Sequence, residues 1–137
     1  MIAFYKKKRR PISMKEALRY LENAKEILKT APIEDNTYTD VKYVQEACAT
    51  AYLAILKAID EFLTKKGVTE KELPQSVDGY RDMLKKYAII HDGKLLKEFE
   101  KLYKALHIAG YDRGLLEDVT MVKDALRAAK SFIDKFK

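Results

Sequence analysis

The stretch DVKYVQEACATAYLAILKAIDEFLTKKG, residues 40–67, carries the pattern from which the fold follows. Val41, Val44, Cys48, Ala51, Ile55, Ala58 and Phe62 recur at steps of three and four residues, the period of one helix face. A second apolar row, Tyr52, Leu56, Ile59 and Leu63, widens that face beyond what a surface helix needs. Thr39 or Asp40 supplies an N-cap oxygen, and Gly67 supplies the residue that most readily takes the left-handed turn closing a helix. The spacing therefore predicts a long helix from Asp40 to Lys66, buried on a broad face and central to the fold.

Working outward, both flanks repeat the same period. Upstream, Met14, Ala17, Leu21, Ala24 and Leu28 form one apolar stripe, with Ser13 and Glu16 placed as a capping box. Pro32 and the polar run Glu34 to Tyr38 predict a loop. Downstream, Thr69 and Glu72 are spaced to cap a short turn that Pro74 ends. Ser76 then opens a third helix carrying Val77, Tyr80, Leu84, Tyr87 and Ala88, which stops near His91, Asp92 and Gly93. Leu95, Phe99, Leu102, Leu106 and Ala109 mark a fourth helix that Gly110 should end. Leu115, Val119, Val122, Leu126, Ala129, Ile133 and Phe136 mark a fifth, with Lys130, Lys135 and Lys137 favourably placed near its C-terminus. Strand alternation and long internal repeats are absent from the pattern. The prediction is an all-α fold, an antiparallel up-and-down bundle of four to five helices. Its 137 residues suit a single domain over residues 13–137, preceded by a basic arm at 1–12.

Charge separates the arm from the rest. The net charge is +6, and Lys6, Lys7, Lys8, Arg9 and Arg10 are consecutive. Setting those five aside from the 27 Lys and Arg leaves 22 against 21 Asp and Glu, so the remainder is nearly neutral. A solvated tail and a phosphate-contacting arm both fit such a run, the second binding nucleic acid weakly and without sequence preference. Phe4 and Tyr5 stand ready to add stacking or interfacial contacts. No apolar run follows the cations, so they do not open a secretory signal. The longest uncharged apolar run, Ala47 to Leu56, is about half what a membrane span requires. A soluble, cytoplasmic protein is expected, and the single Cys suits a reducing compartment.

The available chemistry is narrow. Ala88 and Lys104 stand three residues before His91 and His107, so the Glu-x-x-His pairs of a di-iron bundle are missing. Two His and one Cys match no zinc spacing, and isolated glycines make no phosphate loop; no cofactor is expected. Cys48 sits on the apolar stripe of the central helix, where a thiol packs as a small hydrophobe rather than a nucleophile. His107 stands at the edge of an apolar row. Its bland reading is an amphipathic boundary residue; its functional one is a general acid or base beside Tyr103, Lys104, Tyr111 and Arg113. If the helix stops at Gly110, those groups gather at one end of the bundle. His91 belongs to a turn, and Tyr52, Tyr80 and Tyr87 to core stripes.

The central helix with its sequel, Ala47-x-x-x-Ala51-Tyr52-x-Ala54-Ile55-x-Lys57-Ala58, then Lys65-Lys66-Gly67-Val68, then Ser76 to Leu84, resembles HEPN-type domains. These are small helical bundles encoded beside minimal nucleotidyltransferases, and the resemblance spans residues 40 to 110, about half the chain. It implies a homodimer and a protein partner such as a nucleotidyltransferase. Ile108, on an otherwise polar face with Lys101 and Lys104, agrees with a dimer. Active relatives carry an Arg shortly before a catalytic His at a helix junction and cleave RNA. Here His107 is the nearest match, but its closest upstream Arg is Arg81, and Arg113 follows it. The resemblance thus implies a degenerate, non-enzymatic binding or interaction module. The alternative is a ribonuclease or nucleotide-binding enzyme using His107 with Tyr111 and Arg113.

The arm yields a direct test. If all five cations contact phosphates, binding to duplex DNA should fall with salt at a log–log slope of about −4 to −5. Deleting residues 1–10 should then abolish most binding and leave thermal melting nearly unchanged. Binding that survives with the same slope would locate the site on the bundle, and a large loss of stability would show Ile2, Phe4 and Tyr5 packed against it.

Overall fold

A computed structural model describes residues 13–87 and 93–137 of the chain. Among these the fold is mostly helical, with five α-helices and one minimal hairpin. In chain order they are α1 (Lys15–Lys29), β1 (Ile33–Glu34), β2 (Thr37–Tyr38), α2 (Val41–Lys65), α3 (Val77–Tyr87), α4 (Lys94–Leu102) and α5 (Val119–Asp134). A short 3-10 turn, Glu70–Glu72, precedes α3, and a π-helical segment, Tyr103–Asp112, continues α4. The basic arm, including Lys6 to Arg10, and the predicted end of the third helix at Ala88 and His91 lie outside the described residues.

The central role of α2 holds. Val44, Ala47, Cys48, Ala51, Ala54, Ile55, Ala58, Ile59 and Leu63 are fully enclosed, which only a helix covered on several sides achieves. It packs against α1, α3, α5 and the π segment. Its start is capped by the Asp40 carboxylate, which accepts from the Lys42 N–H at 3.1 Å. Its end is a Schellman closure. Gly67 takes φ +99°, its N–H reaches the Thr64 carbonyl, and the Val68 N–H reaches Leu63 at 3.0 Å while Val68 is buried. The Thr69–Glu72 cap also forms, with the Thr69 N–H and hydroxyl both donating to Glu72 Oε1.

Four expectations need correction. The Ser13–Glu16 capping box does not form. Glu16 instead takes a bidentate pair with Arg19, at 2.9 and 2.8 Å, because a guanidinium one turn away outcompetes a neutral N–H. Glu61 of α2 accepts from Ser13 and from the Met14 N–H, while Met14 adopts φ 57° to bury its side chain completely. The polar segment after Pro32 is a hairpin rather than a loop. Asp35 and Asn36 sit at φ 50° and 57°, the left-handed pair a two-residue turn demands and which Asp and Asn tolerate. Tyr38 and Val119 then exchange bonds with Glu117 and Asn36, tying the hairpin to the start of α5.

The third correction concerns Gly110, which does not end its helix. The chain continues through it as a π turn to Asp112, and the left-handed residue is Gly114, at φ +59°. Gly110 is instead a point of close approach: a Cβ there would lie 2.5 Å from Cys48 Sγ and 2.8 Å from Cys48 Cβ. Fourth, the last helix begins at Val119, capped by the Asp118 carboxylate at 2.9 Å from the Met121 N–H. Leu115 belongs to the preceding loop and is exposed.

Two outcomes test this packing. Ile55→Asp places an unpaired charge in a fully enclosed position and should cost about 3 kcal/mol or more, read as loss of cooperative melting. Gly110→Ala should cost about 1–3 kcal/mol by overpacking against Cys48. Combining it with Cys48→Ala, which removes the sulfur, should recover part of that loss; strictly additive effects in denaturant titrations would contradict the close approach.

Candidate functional site

The π segment and α2 build an aromatic ladder. Tyr103, His107 and Tyr111 follow one another four residues apart, and the wide π turn keeps their rings on one face. Tyr103 and His107 stack at 5.4 Å between centroids and 18° between planes, and Tyr111 follows at 5.7 Å from His107. Tyr52 props the ladder from α2, 4.9 Å from His107 and 5.9 Å from Tyr103. Beside it opens a cleft of about 360 Å³ bounded by Tyr52, Leu56, Pro74, Tyr80, Tyr103 and His107. The cleft is small, with ring faces and edges offered to whatever enters.

Polar groups frame the ladder. The Arg81 guanidinium lies 5.4 Å from the Tyr103 ring and is held by Glu100 through Nε at 2.5 Å and Nη2 at 3.0 Å, with Asp78 at 2.7 Å on Nη1. Those two carboxylates raise its already high pKa, so it is a permanent cation with its forks engaged. At the floor, the Tyr80 hydroxyl donates to Asp60 Oδ1 at 2.9 Å. Burial pushes the Tyr52 phenol up to about 12, and burial with the neighbouring Asp60 raises Tyr80 as well. Both phenols are neutral at physiological pH.

The structure brings two of the three catalytic candidates together. His107 and Tyr111 share the ladder; Arg113 is exposed past the end of the π segment and, among the described residues, joins neither. Tyr111 is fixed through its backbone, whose carbonyl accepts from Gln45 Nε2 at 2.9 Å. Cys48 is fully enclosed, with burial pushing its thiol up to about 12, so it packs rather than reacts. No His, Cys, Asp and Glu cluster suited to a metal occurs among the described residues, and none of their helices is long and apolar enough to cross a membrane. Sequence reasoning missed Glu100 and Asp60, and noted Arg81 only as an Arg too far upstream of His107 for the local motif. The ladder had a legible signal, three rings at i, i+4 and i+8, whereas Arg81 meets it only through the fold.

Asp60 gives the site a pH signature. Burial holds its carboxyl above the ordinary 3.8, against the lowering by Tyr80 and Lys57. The folded chain therefore keeps this proton to higher pH than the unfolded chain. Its contribution to stability is full below pH 3.8 and is lost as pH rises through the folded value. Asp60→Asn keeps an acceptor for Tyr80 and should melt above wild type at pH 7, with the gap closing below pH 3.8. An equal gap at both pH values would exclude the buried charge as its cause.

Comparison with known proteins adds kinship without a role. No curated protein matches the chain. A solved structure, a protein of unknown function from Dyadobacter fermentans, is similar at 34% identity and TM-score 0.73, with 90% of this chain and 91% of that chain covered. Residues 12–137 match a family described as "Domain of unknown function (DUF5618)", and the chain belongs to that family.

Proposed function

We propose that this protein is a non-enzymatic binding module, a degenerate HEPN-like partner protein that engages its ligand at the aromatic ladder. The observation that carries this reading is the row of rings in which His107 stacks on Tyr103 and packs at a tilt against Tyr111 and Tyr52. A ring held among three others is a surface for stacking, and each flat group laid on such rings contributes about 1–3 kcal/mol for a nucleic-acid base. Arg81, the cation over the Tyr103 ring, is committed to Glu100 and Asp78 and supports the ladder rather than reaching for phosphate. In this reading the helices form an antiparallel up-and-down bundle, the chain acts as a homodimer, and a nucleotidyltransferase is the kind of partner it serves. Nucleic acid binds weakly and without sequence preference through Lys6 to Arg10.

One observation favours a ribonuclease as the second reading. Arg81, remote from His107 in sequence, contacts the same Tyr103 ring that His107 stacks on, so the fold links an Arg and a His through one ring where the local motif has no Arg. Incubation with total RNA separates the two. Wild type and His107→Ala should leave RNA equally intact at pH 6 to 8. Cleavage by wild type that disappears in His107→Ala would overturn the binding module in favour of the nuclease.

A further inference from the structure

A second concavity, sharing no residue with the ladder cleft, lies between α1 and α5 beside the hairpin. Its volume is about 460 Å³, within the range of small-molecule sites. The floor is apolar, made by Leu28 of α1, Ile33 and Tyr38 of the hairpin and Leu126 of α5. Ile33 is 53% exposed, so part of this apolar surface is open to solvent. The rim is cationic throughout. Lys25 and Lys29 stand on the α1 side, and Lys123, Arg127 and Lys130 on the α5 side.

No acidic side chain lines this cleft among the described residues. Three of the cations have acidic partners on their own helices: Lys29 with Glu26, Arg127 with Asp124 and Lys130 with Asp134. Those pairs are exposed, so water screens them and their cations remain open to a competing anion. Lys25 and Lys123 make no ion pair among the described residues. Tyr38 adds the surface of an aromatic ring to the floor.

An apolar trough ringed by like charges is unfavourable while empty. It gains from a ligand that covers the aliphatic floor and neutralises the rim at once. We propose that this cleft binds a single-tailed anionic amphiphile of the fatty-acid class, its chain along Leu28, Ile33 and Leu126 and its carboxylate among the Lys and Arg side chains. Each methylene taken from water strengthens binding, so affinity should grow with chain length until the floor is covered. Two rows of cations set the charge preference.

The test uses the full chain with dodecanoate as probe, below its micellar concentration. Dodecanoate should raise the melting temperature and shift the NMR signals of Leu28, Ile33, Tyr38 and Leu126 saturably, with hexanoate at least tenfold weaker. Lys25→Glu/Lys123→Glu, two substitutions at the helix surfaces, should melt at or above wild type, because they relieve the rim's repulsion, and bind dodecanoate at least tenfold more weakly. Dodecyltrimethylammonium, with the same tail and the opposite charge, should not compete. Ile33→Ser should weaken binding while leaving the rim intact. Shifts spread over the whole surface, equal binding of the cationic amphiphile, or undiminished binding by the double variant would each overturn the proposal. So would saturation of the cleft by an acidic amphipathic peptide with no response to dodecanoate, which would make it a peptide-docking surface.

Discussion

The approach of the Gly110 backbone to the Cys48 side chain is the constraint on which the rest of the arrangement turns. With no Cβ at residue 110, the π segment lies directly against α2, and a sulfur fills the space a methyl would take. From that contact the neighbouring geometry follows. His107, three residues earlier, is brought over Tyr52, and Tyr111, one residue later, presents its carbonyl to Gln45. Gly114 then turns the chain back against Gln45 in a conformation few residues accept. A π turn is rare in helices, the mark of a conformation that costs more than an ordinary α turn. Burial of Leu106 and Gly110 and the ring contacts offset that cost.

How far this was legible in the sequence depended on the range of the interaction that decided each element. The buried rows of α1, α2 and α5 were plain because helical periodicity repeats one constraint many times, and Val44, Ile55, Leu126 and Ile133 each restate it. Single residues with two physical uses were not. Glycine ends helices by taking positive φ and also permits close approach; Gly67 does the first and Gly110 the second. Ser13 looked like a cap because only local partners are visible in sequence, whereas Glu61, 48 residues from Ser13, takes that role. A hairpin with two residues per strand has no alternation to detect, and its turn uses Asp35–Asn36 in place of a glycine pair. The same division holds at the site: ring spacing grouped His107 with Tyr111, while Arg81 and Asp60 needed the tertiary fold.

The two concavities differ in the physics they offer. The ladder cleft is walled by rings and, among the described residues, lined by no Lys, Arg, Asp or Glu side chain. Arg81 behind the Tyr103 ring is already balanced by Glu100 and Asp78, so the cleft favours flat ligands by shape. The α1–α5 trough pairs open apolar surface with a surplus of positive charge, so it favours ligands by charge and chain length. Neither requires a reacting group. Kinship with a family and with a solved structure of unknown function leaves both open to direct measurement.

Cys48 also makes the molecule its own reporter of internal motion. It is the single thiol in the chain, fully enclosed and held protonated by burial at ordinary pH. A thiol-modifying reagent can reach it only when the surrounding structure opens, whether the π segment lifts from α2, another covering element moves or the whole domain unfolds. When closing is fast, the labelling rate divided by that of an exposed thiol gives the fraction of time spent open. Comparing that opening free energy with the global one shows whether the thiol is exposed by a local opening or only with the core. A ligand stacked on the ladder would slow the reaction without touching the sulfur, so one buried atom supplies a clock for the occupancy of a neighbouring surface.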